Sequence, residues 1–506
     1  MSSSTSNALS ALRWAAGFGA EPSTAEPIDA DELHRQGLRH RMVGRLLERL
    51  EASTPSWANA EAISLLTATE RQHHDLYQDH HQEMRRLIAS QESADAPVIS
   101  LKGPNVYALT GNPHHIREFG DLDLLPHDLV AFAAAAERIG YRYGKAPASY
   151  EYACLLRDGA KLEIHRWVNF EDPLVVPSEE HYQPGKHPGI WRQQNSAALG
   201  TLTYDQCIDY CTPGLLELPG IVVPAPALAA LSYIGHAYQD YVNFYQYGGR
   251  GRPLIRIGEM REILDLLQAP DFDPDQFTRL ASVGRAERTV AWYVWLLAAH
   301  LDAEVPGEVR ELAARHGWPT TGVPTKVTGG VFCDLEFTDD DMFDRRIPIS
   351  TLVQRLGSNE IKLSDMTHVA LQLTTSDTAS APTRVIAADL ESADGRVATV
   401  TVGWFEDCLF FKFHFVADES CDKVRVCIDF GDLYTETILM PAAESGSGSS
   451  TGSDLTTEIC VPMYALPDQL GLPRPAETSL LIQVHGEHPL SVPAFSLLVP
   501  VVIRLS

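Results

Sequence analysis

Two aspartates one residue apart, Asp121 and Asp123 in FGDLDLLP, are the side chains here best placed to do chemistry. Alternate residues of a strand share a face, so the pair sets two carboxylates side by side at the exposed edge of an otherwise apolar strand. Like charges held that close repel unless a proton or a cation lies between them, and hard oxygen donors suit Mg²⁺. A third acid, Glu163 in KLEIHRWV, alternates with Leu162 and Ile164 on a later strand. Asp-x-Asp with an acid from a neighbouring strand is the donor set of a two-metal phosphoryl-transfer site. Taken alone, Asp-x-Asp is also common in surface loops, and that reading stays open at this level.

The elements that would position these acids follow from periodicity. VISLKG from Val98 reads as a short buried strand, PNVYAL as a helix opening, FGDLDLLP as a strand and HDLVAFAAAAERIG as a helix closed by Gly140. Residues 1 to about 90 read as helical, with His73, His74, His80 and His81 assigned to a solvated face. From Pro224 to about His316 the chain reads as three long helices. Alternating segments such as RVATVTVGWF, CLFFKFHFVAD and SLLVPVVIRL then predict a C-terminal β-sandwich, with WFEDCLF as a hairpin and ESGSGSSTGSD as an internal loop. The expected organisation is a helical region over 1–91, an α/β core over 92–170, a further helical region over 171–320 and the sandwich over 321–506.

Composition narrows the partners. The 506 residues are 44% hydrophobic and 21% charged, as in ordinary soluble domains, and the net charge of −27 argues against unspecific binding to nucleic acid or anionic membranes. No apolar run approaches the roughly 20 residues that span a bilayer, and the N-terminus is a poor signal peptide. Eight cysteines without a CxxC fit free thiols in a reducing cytoplasm, and Cys207 with Cys211 lacks partners for zinc.

The ordered set LKG, Arg117, DLDLL, IGY and LEIHRW resembles the uncharacterised nucleotidyltransferase family of the polymerase β-like superfamily, over roughly residues 92–170 and, through LSYIGHAY and LIRIGEMREIL, on to about 320. The resemblance implies a nucleotidyltransferase-fold mixed sheet; with the helical flanking regions and the sandwich read from periodicity, the expected chain is multidomain α/β plus all-β. It implies Mg²⁺-dependent transfer of an NMP group from an NTP such as ATP to a hydroxyl on a small molecule, sugar or peptide-type acceptor, with pyrophosphate released. Asp121, Asp123 and Glu163 would hold two Mg²⁺ ions, with Mn²⁺ as a substitute, and Glu163 would either complete that set or act as base. Gly103 would let the phosphates approach the turn, and Lys102 and Arg117 would offset triphosphate charge. The superfamily has Gly-Gly or Gly-Ser where this chain has Gly103-Pro104, which removes an amide donor and leaves Lys102 to compensate.

Other readings of the same residues remain open. Lys102 is alternatively a surface lysine, and Arg117 an ion pair with Glu118 or Asp121. His165 would orient Glu163, touch substrate or bond to backbone, and His236 would line the acceptor cleft or face water. Arg256 and Glu259 read as an intrahelical pair. Tyr238, Tyr241, Tyr245 and Tyr247, with GGRGRP, read as an aromatic cleft wall or as helix packing. The sandwich weakly resembles family 9-like carbohydrate-binding modules through GWFEDCLFFKFHFVAD followed by VRVCIDFGD, and its Trp404, Phe411 and Phe413 would stack on a sugar or are equally core candidates. A catalytically inactive scaffold that recruits partners through the sandwich, and a kinase on the same fold, are the competing functions.

Overall fold

The computed structural model describes residues 3–24, 26–53, 55–91, 96–102, 105–117, 120–145, 151–170, 190–192, 200–213, 218–242, 253–316 and 342–343, and beyond 322 the backbone of the strands given below. Helix α1 (Ser3–Ala15), α2 (Ala30–Arg39), α3 (Val43–Ala52) and α4 (Ala60–Ala89) come first. Asp29 starts α2 by accepting from the Glu32 amide at 2.8 Å, and Asn59 starts α4 by accepting from Ala62 at 2.8 Å, each satisfying an otherwise orphaned N–H.

The α/β core is a seven-stranded mixed sheet in the order β3-β4-β5-β2-β1-β10-β9. Its strands are β1 (Val98–Ser100), β2 (Leu122–Leu125), β3 (Arg142–Lys145), β4 (Glu151–Arg157), β5 (Ala160–His165), β9 (Cys211–Thr212) and β10 (Ile221–Pro224). The short pair β6 (Val168–Phe170) and β8 (Gly200–Leu202) stands apart from it. Helix α5 (Asn105–Thr110) follows β1, and α6 (Leu129–Arg138) links β2 to β3, capped by Asp128 and released at Gly140, whose φ of 104° a Cβ would resist.

Period-two alternation sorts the sheet's faces. Leu122 and Leu124 of β2, with Leu162 and Ile164 of β5, join one core with Tyr77, Met84 and Leu87 of α4 and with Phe132 and Ala136 of α6. Ile99, Leu101 and Leu125 enter a second core, shared by the N-terminal helices and the later ones. Those later helices are α7 (Tyr204–Cys207), α8 (Pro226–Val242), α9 (Ile257–Leu267), α10 (Pro274–Val283), α11 (Glu287–Leu296) and α12 (Gly307–His316). The segment from Pro274 to Ala303, expected as one helix, breaks after α10 at Gly284, where Arg285 takes a left-handed φ of 53°.

Two further expectations change. Asp123 is not at an exposed edge: β2 lies between β5 and β1, and the residue is 5% exposed. The histidines of α4 are not on one solvated face either. His73 and His80 are buried, because a 30-residue helix that touches both cores covers more than one stripe of its surface.

After β7 (Ile190–Arg192), a three-stranded sheet joins it to β11 (Val323–Val327) and β12 (Val331–Leu335). Two further sheets follow. One contains β13 (Asn359–Lys362), β17 (Lys423–Asp429), β18 (Tyr434–Leu439), β20 (Glu477–Glu487) and β21 (Pro493–Arg504). The other contains β14 (Ile386–Ser392), β15 (Gly395–Phe405), β16 (Cys408–Phe415) and β19 (Leu455–Pro462). β15 and β16 form the hairpin expected of WFEDCLF, with Phe405 opposite Cys408. The side chains of Trp404, Phe411 and Phe413, and the 444–454 loop, lie outside the described residues.

Candidate active site

The parallel pairing of β2 with β5 sets Leu122 opposite Leu162, Asp123 opposite Glu163 and Leu124 opposite Ile164. With the leucines turned to the α4–α6 core, Asp123, Glu163 and His165 share the other face. Asp121 sits in the bend just before β2 and is 31% exposed, so of the two aspartates only Asp123 is a strand residue. The Leu101 amide donates to the Asp123 carbonyl at 2.9 Å, which delivers Lys102 to the same spot.

Two lysines balance the three carboxylates. Lys102 Nζ lies 3.3 Å from Asp123 Oδ1. Lys161 Nζ lies 2.8 Å from Asp121 Oδ2 and 2.5 Å from Glu163 Oε1. His165, 2% exposed, places Nε2 at 2.8 Å from Asp123 Oδ1. Burial pushes the Asp123 carboxyl up, but the Lys102 charge and the His165 contact outweigh it and hold the group well below the usual carboxylate range. Burial works against both lysine charges too. Asp123, Asp121 and Glu163 outweigh it at Lys102, and the hydrogen bonds to Asp121 and Glu163 outweigh it at Lys161, so both stay protonated more firmly than a free lysine.

Across from the sheet, α8 presents His236, with Nε2 3.8 Å from Asp240 Oδ2 one turn on. Burial, and next the Lys102 charge, push the His236 imidazole down to about 4 against the pull of Asp240 and Glu259. Arg256 Nη1 reaches Asp240 at 3.3 Å and Glu259 at 2.6 Å, and Arg41 also pairs with Glu259. Gly258 makes this approach feasible: its amide donates to the His40 carbonyl at 2.9 Å, and a Cβ there would meet the His40 and Arg41 carbonyl oxygens at 2.5 Å. Arg256 and Glu259 do pair, though Arg256 stands just before the first residue of α9 rather than on its face.

Arg117 is buried, with Nε 2.9 Å from Glu262 Oε1 and 3.1 Å from Oε2. The ion pair expected with a loop neighbour is thus made with an acid 145 residues further on. Tyr238 and Tyr241 are each 1% exposed and pack on Trp292 with ring centroids 5.1 and 5.2 Å away, so helix packing accounts for them. Gly103, Glu118, Tyr245, Tyr247 and most of GGRGRP lie outside the described residues. Cys207 and Cys211 are free thiols, the latter with its Sγ 3.3 Å from the Cys207 carbonyl oxygen.

Two groups of metal-ligating side chains occur among the described residues, Asp123 with Glu163 and His165, and His236 with Asp240 and Glu259; within each the donor atoms lie within 4.8 Å of one another. The first, with Asp121 at its rim, suits a hard divalent cation. The carboxylates of the second are already matched by the guanidinium groups of Arg41 and Arg256, so that group is balanced without an ion. Lys161 escaped the sequence reading although Lys161, Glu163 and His165 alternate on one face of β5. No helix among the described residues is long and apolar enough to cross a membrane.

Comparison with known proteins follows the same line. A family profile described as uncharacterised nucleotidyltransferase matches residues 26–302, so it takes in α2 to α4 as well as the sheet and the helices after it. The solution structure of the antibiotic-resistance factor ANT(2'')-Ia is matched at 16% identity over 45% of this chain and 99% of that one, with a TM-score of 0.25, too low to carry an argument. No curated protein matches. The profile spans more than half of the chain and includes every acid of the site, and the protein belongs to this family of nucleotidyltransferases.

Proposed function

We propose that the protein transfers a nucleoside monophosphate from an NTP to a hydroxyl-bearing acceptor, a small molecule, sugar or peptide-type compound, with release of pyrophosphate. The observation that carries this reading is the in-register placement of Asp123 beside Glu163, with Asp121 at the mouth and two lysines balancing the charge. The acceptor oxygen would bond to the α-phosphorus, the bond from that phosphorus to the bridging oxygen would break, and the electron pair would leave with pyrophosphate.

Asp121, Asp123 and Glu163 would hold Mg²⁺, or Mn²⁺ in its place, which when bound supplies Lewis-acid activation and neutralises phosphate charge. His165 keeps Asp123 oriented. Lys102 faces the developing negative charge, and Glu163 would be the group that takes the acceptor proton if it is not a ligand. Gly103 and Arg117 belong to the nucleotide side of this proposal, Arg117 as the buried strut that fixes the loop before β2. His236 and Asp240 on α8 would border the acceptor. The net charge of −27 points away from a polynucleotide acceptor. The two C-terminal sheets would pack as a sandwich over 321–506 for docking or ligand binding, after a helical region over 1–91, a core over 92–170 to which β9 and β10 add two later strands, and a cleft-completing helical region in the rest of 171–320, in a cytoplasmic protein.

The test is pyrophosphate release from each NTP with Mg²⁺ over a panel of hydroxyl acceptors, run beside Asp121→Ala and Asp123→Ala. Retained turnover in both variants would sink the assignment. ADP as product would identify a kinase, and absence of nucleotide binding by calorimetry would identify a scaffold.

A further inference from the structure

We propose that Lys161 is an internal cation that holds Asp121 and Glu163 together when no divalent ion is bound, is displaced when one enters, and so sets the affinity of the site for that ion. This rests on the reading of the three acids as metal ligands. Asp121 comes from the bend before β2 and Glu163 from the middle of β5, and the Lys161 ammonium bridges them at 2.8 and 2.5 Å. A cation held between the Asp121 and Glu163 carboxylates engages oxygens that a divalent ion would need, so the two compete for them.

The two site lysines differ in how easily they could leave. Lys102, 20% exposed, is fixed to the buried Asp123, 5% exposed. Lys161 and Asp121 are 28% and 31% exposed at the mouth, and a lysine is a compact charge on a flexible stem with rotatable donors. Lys161 can therefore rotate toward solvent without uncovering the core. When it does, β5 still presents Glu163 and His165 in place, since their strand is paired on both sides by β2 and β4. The apparent dissociation constant is then the intrinsic one divided by the fraction of molecules in which Lys161 has swung away.

Mn²⁺ titration by calorimetry, without nucleotide, tests this on the full chain. Lys161→Met is expected to bind Mn²⁺ at least about tenfold more tightly than the wild type, and Lys161→Arg, which keeps the charge, to stay close to it. The Met variant should also melt at a lower temperature in low salt and regain the difference once Mn²⁺ is added. Equal Mn²⁺ affinity in wild type and Lys161→Met overturns the role of Lys161 alone. Loss of binding in both overturns it together with the metal-site reading. A measurement on the wild type covers the case in which the Met variant does not fold: amine labelling of Lys161, read by mass spectrometry, should rise when Mn²⁺ is added, and unchanged labelling overturns the proposal.

Discussion

His165 Nε2 lies 2.8 Å from Asp123 Oδ1, a contact between side chains that are not register partners, because Asp123 stands opposite Glu163 on the parallel strands. The diagonal contact ties the end of β5 to the centre of β2 and fixes how the Asp123 carboxylate is turned. Lys102 reaches the same oxygen from the end of β1. Three strand segments thus meet on one carboxylate, which makes Asp123 the hinge of the site.

A histidine that only orients a ligand should matter less than the ligand itself. Substituting His165 by Ala is expected to lower turnover and Mn²⁺ affinity by about 10–100-fold, the usual cost of losing an outer partner of a metal ligand. His165→Asn, whose amide can still donate toward Asp123, should recover part of both. Parallel measurement of kcat and of Mn²⁺ binding checks this, and an unchanged Mn²⁺ affinity in His165→Ala would remove the positioning role.

The two aspartates should separate in stability although both variants are expected to lose turnover. Asp123→Asn leaves Lys102 in a largely buried place without its counter-charge, and breaking such a pair costs about 3–5 kcal/mol. Asp121→Asn removes a partner of Lys161 at the solvent-facing rim, where screening limits the loss to at most about 1 kcal/mol. Urea unfolding of both variants, beside a pyrophosphate-release assay, is the measurement. Equal destabilisation would mean that Asp121 is as deeply embedded as Asp123.

How much of this was legible beforehand depended on the range over which the residues act. The acids announce themselves locally, since LDL (Leu122–Leu124) and KLEIH alternate at period two and their apolar residues must face one way. That Asp123 and Glu163 become register partners depends on parallel pairing across α6, β3 and β4, which no local pattern encodes. The neutralising pair of Arg117 is hidden for the same reason, as Glu262 lies on a helix 145 residues downstream. Lys161 was within reach, because the alternation that assigns Glu163 and His165 to one face assigns Lys161 there as well. The burial of His73 and His80 was not, because a helix between two cores carries no single apolar stripe to read.

The Arg117–Glu262 pair should behave as a structural strut. The two side chains are 9% and 3% exposed, so Glu262→Ala leaves a guanidinium buried without its counter-charge, at an expected cost of about 3–5 kcal/mol. Replacing both, as Arg117→Met with Glu262→Leu, removes the desolvation cost together with the attraction and should restore much of that loss. A double-mutant cycle by urea unfolding measures the coupling. Additive losses would show that the two residues act independently.

Acid sensitivity should begin well above the pH at which carboxylates titrate. His40 is fully buried, accepts the Ile257 amide at Nδ1 over 3.3 Å, and burial, with the Arg39 charge next, pushes its imidazole down to about 3. In the unfolded chain the same imidazole titrates near 6.5, so between about 6.5 and about 3 the unfolded state binds the extra proton. Stability rises with pH wherever the unfolded state holds more protons. The contribution of His40 is therefore complete above about pH 6.5 and is lost steadily as the pH falls toward 3. His115 and His236, both pushed down to about 4 with burial the largest cause, act in the same direction. Each such histidine adds up to about 1.36 kcal/mol per pH unit to the slope. Asparagine at position 40 can still accept from Ile257 but takes up no proton, so His40→Asn should flatten the slope of unfolding free energy against pH between 6 and 4.5. A slope identical to that of the wild type would mean that His40 is protonated in the folded protein and that the α2–α9 junction tolerates its charge.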